Sequence, residues 1–350
     1  MPVAPTFSDR VHGCLLGGAL GDALGYAVEE LDLRSIRTAY GPSGVRSPED
    51  VRESFGFSDD TQLTLYTVDG LVDAIQWAND GVAADETACL WLAYLRWLAT
   101  QGEPASSSAP APPPRWIDTQ EVLRRRRRPG AACLSALRSG DMGTLARPIN
   151  LEAKGSGTVM RSAPFGLVPH VPAEVADRLA VNAAALTHGH PAARHCAAVI
   201  AVLIHAIVND GQSLREAVAT AVARAGTSGL PDLSKLLDTA LELATDGGVS
   251  PELMTAALGT GWTADEATAI AVYAVLAVPA DAGAEQHFSS AVALAVNHDG
   301  DSDTTGAITG SILGALYGVQ GLPAAWTADL EGADVVSAMA RLLVDTTSAG

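Results

Sequence analysis

Cysteine is scarce in this chain of 350 residues: Cys14, Cys89, Cys133 and Cys196 stand far apart and form no CxxC pair. A disulfide framework and a thiolate zinc site are therefore not expected, and the four read as reduced, buried small hydrophobes. Basic charge is also short. Lys and Arg number 22 against 40 Asp and Glu, a net charge of −18. That balance argues against nonspecific binding to nucleic acid or to an anionic membrane. No uninterrupted apolar run reaches about 18 residues, the length a membrane-crossing helix needs. Residues 197–208 come nearest, are broken by His205, and read as a buried core helix. Residues 1–10 lack a basic stretch followed by an apolar one, so no signal peptide is expected and the chain reads as cytoplasmic. Residues 213–295 read as a succession of amphipathic and apolar helical patterns, with no alternating strand runs of note and no fixed-period repeat.

What is present is apolar and small. Hydrophobic residues make up 48% and charged residues only 18%, with 34 glycines, enough for a large core built of small side chains. One domain over 1–350 is expected. It is interrupted at 102–115 by a stretch rich in Pro, Ser and Ala that reads as a flexible surface insertion.

The densest chemistry lies at 297–306. Asp299, Asp301 and Asp303 alternate ahead of Thr304 and Thr305, where an apolar helical pattern begins. N-capping accounts for one such side chain. It does not account for three carboxylates within five residues, which repel one another unless a cation sits among them. An all-oxygen set suits a hard ion such as Mg2+ or Ca2+. An EF-hand loop counted from Asp299 would need Gly at Thr304 and Glu at Gly310, so that loop is excluded. Asp301 to Thr305 also fits the Asp-x-Asp-x-Thr opening of haloacid-dehalogenase-like phosphatases. That chemistry needs a later lysine and none follows, so a phosphatase remains a minor alternative. Ser58-Asp59-Asp60-Thr61 repeats the hydroxyl–acid cluster ahead of a helical pattern over 62–78. Brought together, the two clusters would need cations between them.

Glycine recurs at every fourth place at 13, 17, 21 and 25, and again at 306, 310, 314 and 318. Each interior helix glycine costs roughly 1 kcal/mol against alanine, so four on one face imply a close neighbour. The two stripes are expected to pack together, carrying Asp22 and Glu29 toward Asp301–Thr304. The first helix is expected to start near Arg10, capped by Ser8 or Asp9. A glycine-containing loop at 154–164 can present N–H groups to a phosphate. His188 reads either as a ligand contact or as a plain structural histidine. The run Arg124 to Arg128 reads as a solvated patch, and 324–350 as one helix and a tail.

Taken in order, Gly13-Cys14-Leu15-Leu16-Gly17, Gly21-Asp22-Ala23-Leu24-Gly25, Glu29, Ser58-Asp59-Asp60-Thr61, Gly157-Thr158-Val159-Met160-Arg161, Thr187-His188 and Gly300-Asp301-Ser302-Asp303-Thr304-Thr305-Gly306-Ala307 resemble the ADP-ribosylglycohydrolase family over almost the whole chain. The resemblance implies an all-α fold, a compact orthogonal multi-helix bundle with a cleft. It implies two Mg2+ ions (or Mn2+) held by Ser58, Asp59, Asp60, Asp301, Asp303 and Thr304. It also implies ADP-ribose held by Gly155, Ser156, Gly157, Thr158, Met160 and His188. In such a site Asp301 or Asp303 would serve as base, and Glu29 would gate the cleft or protonate the leaving group. The expected partner is an ADP-ribosylated protein, arginine-linked first, or a small molecule containing ADP-ribose, and the expected enzyme is a monomer. Serine linkage, O-acetyl-ADP-ribose and a catalytically silent ADP-ribose binder are the alternatives. Two positions depart from the family pattern: Ser58 stands where threonine is usual, and Ser156 where asparagine is frequent.

Overall fold

Thr6 starts the first helix. Its hydroxyl accepts from the Asp9 N–H, and the Asp9 carboxylate accepts from the Thr6 N–H, a reciprocal cap. Asp9 is thus the third residue of the helix and not its cap, and the helix begins at Phe7 rather than near Arg10. The computed structural model describes residues 4–51, 55–245 and 247–348. Among these, sixteen α-helices follow in order: α1 (Phe7–Tyr26), α2 (Leu33–Tyr40), α3 (Asp59–Asn79), α4 (Glu86–Thr100), α5 (Ala131–Ser139), α6 (Ala163–Gly166), α7 (Ala173–Ala185), α8 (Pro191–Val208), α9 (Leu214–Gly226), α10 (Pro231–Leu243), α11 (Pro251–Leu258), α12 (Ala264–Ala277), α13 (Ala284–Val296), α14 (Ser302–Tyr317), α15 (Ala324–Asp329) and α16 (Ala333–Ser348). The described residues contain no strand, only an isolated bridge between Gly155 and Thr263. The fold is all-α, as expected.

The two glycine stripes do meet. α1 and α14 run antiparallel, with Gly13 against Gly314, Gly17 against Gly310, Gly21 against Gly306 and Gly25 against Ser302. A Cβ on Gly21 would lie 2.0 Å from the Gly306 oxygen, and one on Gly310 would lie 2.0 Å from the Gly17 oxygen. Only hydrogen fits there, so the helix propensity given up is recovered as backbone contact. The pairing sets the C-terminal end of α1 beside the N-terminal end of α14.

α3 is capped by Ser58 and α4 by Asp85. α3 packs on α4 and α16, and α16 also covers α1. The C-terminal region therefore holds two helices, α15 and α16, where one was expected. α2, capped by Asp32, was not foreseen. α8 is long and apolar enough to cross a membrane by length and composition alone, but 83% of it is buried. It is a core helix, packed on α6, α7, α9 and α12. Residues 102–115 carry no helix or strand. The Ser106 N–H donates to the Arg138 oxygen, and Arg115 pairs with Asp69 and Asp73.

Candidate active site

α3 and α14 point their N-terminal turns at one cleft. Asp59 and Asp60 come from the first turn of α3, and Asp303 and Thr304 from that of α14. Thr304 Oγ1 donates to Asp60 Oδ2 at 2.8 Å, joining two clusters that are 244 residues apart in sequence. Asp22, brought in by the glycine spine, accepts from the N–H groups of Ser58 at 2.8 Å and Thr61 at 2.9 Å. It completes the cap of α3 beneath the cluster. The cleft encloses about 270 Å3, and its lining includes Glu29, Asp59, Asp60, Asp301, Asp303 and Thr304 together with Gly155, Ser156, Gly157, Met160, His188, Arg128, Cys133 and Trp262.

The electrostatics are strained. Burial pushes Asp59, Asp60 and Asp303 well above the usual carboxylate range, and neighbouring acids push them further. Asp301 is raised by burial too, although hydrogen bonds with Asp303, Ser156 and Thr304 pull it back. Asp22 is raised to about 6 by burial, against bonds from Thr61 and Ser58. The arginine of the lining does not relieve them, because Arg128 Nη1 donates to Glu29 Oε2 at 2.8 Å. Four buried carboxylates with hydroxyls among them suit a hard divalent cation. As the side chains stand, the described residues contain no group of three or more His, Cys, Asp or Glu arranged to hold a metal ion. Hydrogen bonds occupy part of the set instead: Ser156 Oγ donates to Asp301 Oδ2 at 2.5 Å, and the Gly130 N–H to Asp59 Oδ2 at 3.1 Å. The donor chemistry fits an ion; the rotamers serve the hydrogen bonds.

Several expected residues sit elsewhere. Ser58 is wholly buried beneath the cleft, and its Oγ accepts from the Asp60 N–H at 3.1 Å. Thr158 turns away from the cleft, and its hydroxyl donates to the Ala193 oxygen at 2.8 Å. Asp299 leaves the acid cluster to accept from the Leu33 N–H at 2.6 Å. The arginine run is not a solvated patch throughout. Arg127 is 7% exposed, lies over the Phe57 ring and pairs with Glu331. Arg128 lies over Tyr26, with its backbone at φ +52°. Sequence reasoning assigned no site role to Arg128, Cys133 or Trp262. Only the 48% exposure of a large aromatic marks Trp262 as a rim residue, and exposure is not written in sequence.

A sequence profile of the ADP-ribosylglycohydrolase family matches residues 4–349. The chain belongs to this family. It is similar to an ADP-ribosylarginine hydrolase, Tri1, of Pseudomonas putida (strain GB-1), 24% identical over 96% of this chain and 78% of that protein. It is similar to the ADP-ribosyl-[dinitrogen reductase] glycohydrolase of Rhodospirillum rubrum, 24% identical over 93% of this chain and 92% of that one. The solved structure of an ADP-ribosylglycohydrolase-related protein complex superposes with a TM-score of 0.66 at 25% identity, covering 97% of this chain and 99% of the other. As a member of the ADP-ribosylglycohydrolase family the protein is a hydrolase.

Proposed function

We propose that the protein removes ADP-ribose from a protein side chain by cleaving the bond at the anomeric carbon of the ribose, with arginine as the acceptor. One observation carries the reading: a single cleft sets the Asp59, Asp60, Asp301 and Asp303 carboxylates against the Gly155–Gly157 loop and His188. The choice of arginine draws on the relative named ADP-ribosylarginine hydrolase. A zebrafish (Danio rerio) relative named ADP-ribosylhydrolase ARH3, 29% identical over 55% of this chain and 57% of that protein, keeps other linkages in the test.

Asp59, Asp60, Asp301, Asp303 and Thr304 would hold two Mg2+ or Mn2+ ions. Bound there, the ions would supply the charge that grips ribose hydroxyls and acidifies a water. The protein groups do the rest. Positive charge builds on the sugar as the glycosidic bond lengthens, and the acid cluster faces it. Asp301 is tied to Ser156, whereas Asp303 accepts a hydrogen bond from the adjacent Thr304 N–H. Either Asp301 or Asp303 would serve as the base that takes a proton from the attacking water. Glu29 stands at the cleft wall with burial raising its pKa, placed to gate the cleft or to give its proton to the departing guanidine nitrogen as the bond breaks. Trp262, half-exposed in the lining, would be available to stack on the adenine ring. The test is release of ADP-ribose from arginine-linked and serine-linked substrates, each with Mg2+ and with EDTA. Mg2+-dependent release from the arginine substrate is the expected result. No release from either, with metal shown bound, overturns the reading.

A further inference from the structure

Behind the cleft wall runs a polar chain that the chemistry above leaves unused. Arg161 is 1% exposed, with its guanidinium 4.5 Å from the centroid of the Tyr94 ring. Its Nη1 donates to Cys133 Sγ at 3.4 Å and its Nη2 to Thr187 Oγ1 at 2.7 Å. Thr187 Oγ1 lies in turn 2.8 Å from His188 Nδ1.

The direction of each hydrogen bond follows from what the groups can do. An arginine only donates. Thr187 Oγ1 therefore accepts on the Arg161 side. Its single proton has one further partner among the described residues, His188 Nδ1. Were Nδ1 the donor, Thr187 would accept twice and leave its own buried proton without a partner, which is costly. Nδ1 is therefore the acceptor, and in an uncharged ring the proton sits on Nε2. Burial, with Arg161 close by, holds the His188 pKa down to about 3. Nε2 lies 3.7 Å from the place of a Cβ on Gly155 and 3.2 Å from that on Gly157, at the glycine wall of the cleft. It has no protein partner among the described residues.

We infer that Arg161 and Thr187 are positioning residues that lock His188 as its uncharged Nε2–H tautomer, so that the ring offers one fixed donor to an anionic phosphate oxygen of the ligand. The identity of the ligand as ADP-ribose rests on the function proposed above; the tautomer rests on the hydrogen-bond geometry alone. A histidine held this way cannot turn acceptor, so the cleft would discriminate against a ligand presenting a donor at that point.

The experiment is nitrogen NMR of the full chain labelled at histidine, with His188→Gln used to assign the His188 signals, and ADP-ribose titrations alongside. The wild type should show the Nε2–H pattern at neutral pH. Thr187→Val keeps the shape and removes the hydroxyl. It should mix the tautomers and weaken ADP-ribose binding on the order of tenfold. Thr187→Ser should restore both. An Nδ1–H pattern in the wild type, or a Thr187→Val protein with unchanged tautomer and affinity, overturns the inference. If Thr187→Val does not fold, the wild-type spectrum and Thr187→Ser still decide it. A wild type that shows the Nε2–H pattern but fails to bind ADP-ribose overturns the proposed function and leaves the lock in place.

Discussion

Ser156 Oγ donates to Asp301 Oδ2 at 2.5 Å. This bond joins the loop proposed to carry ADP-ribose to the carboxylates proposed to carry metal. Groups that orient a metal-binding carboxylate typically contribute about 10–100-fold in affinity or activity. Ser156→Ala should therefore weaken Mg2+ binding by about that factor, read by titration calorimetry, with the helical spectrum unchanged. Unchanged Mg2+ affinity would make Ser156 a contact to the ligand only.

Gly21→Ala places a methyl 2.0 Å from the Gly306 oxygen. Backbone cannot swing aside as a side chain does, so α1 and α14 must part. A loss of about 3 kcal/mol or more is expected in urea unfolding. Gly226→Ala, where nothing lies within 4 Å, should be neutral or stabilising by up to about 1 kcal/mol. Equal effects at the two positions would sink the packing account.

Asp303→Asn removes one charge from the buried acid cluster. In EDTA the variant should melt above the wild type, because like-charge repulsion falls. With saturating Mg2+ the order should reverse, since the wild type gains ion-binding energy that the variant lacks. Scanning fluorimetry reads both. A variant that melts lower in EDTA would make Asp303 a structural residue.

Acid should do what that substitution does. Asp22 is held at about 6 against an ordinary 3.8, and Asp59, Asp60 and Asp303 are raised as well. A carboxyl whose folded pKa is raised contributes stability that is fully present below the unfolded value and is lost as pH rises through the folded one. In metal-free protein the melting gap between wild type and Asp303→Asn should therefore narrow as pH falls through the raised range of these acids toward the ordinary carboxylate value. A gap that widens in that window would contradict the burial of these acids side by side.

Arg127→Ala should cost about 2–4 kcal/mol, because it strips Glu331 and the Phe57 oxygen of a buried donor. Arg124→Ala, at an exposed position of the same run, should change stability little. A loss at Arg127 as small as that at Arg124 would mean that the run acts as one solvated patch after all.

Much of the fold was legible in residue order. Glycine at every fourth place has few physical justifications inside a helix, and close helix contact is the strongest, so α1 and α14 could be paired before any coordinates. The clusters at 58–61 and 301–304 were legible for a similar reason: adjacent acids at a helix start exceed what capping needs. Spacing failed where direction mattered. Asp299 has the same two-residue spacing from Asp301 as Asp303 has, yet it turns to α2, a helix the pattern did not reveal. Thr158 sits between cleft residues and bonds to α8 instead.

The sequence by itself determined the all-α class, the glycine spine and the acids that need a counter-charge. Those follow from local chemistry: propensity, periodicity and like-charge repulsion act between neighbours in the chain. Only the tertiary structure decided which of those side chains share the cleft. It paired Arg128 with Glu29, set Ser156 on Asp301, and ran Arg161 through Thr187 to His188. Each of these contacts depends on the direction of a side chain within a packed interior, and that direction is set by every helix around it rather than by the residues beside it in sequence.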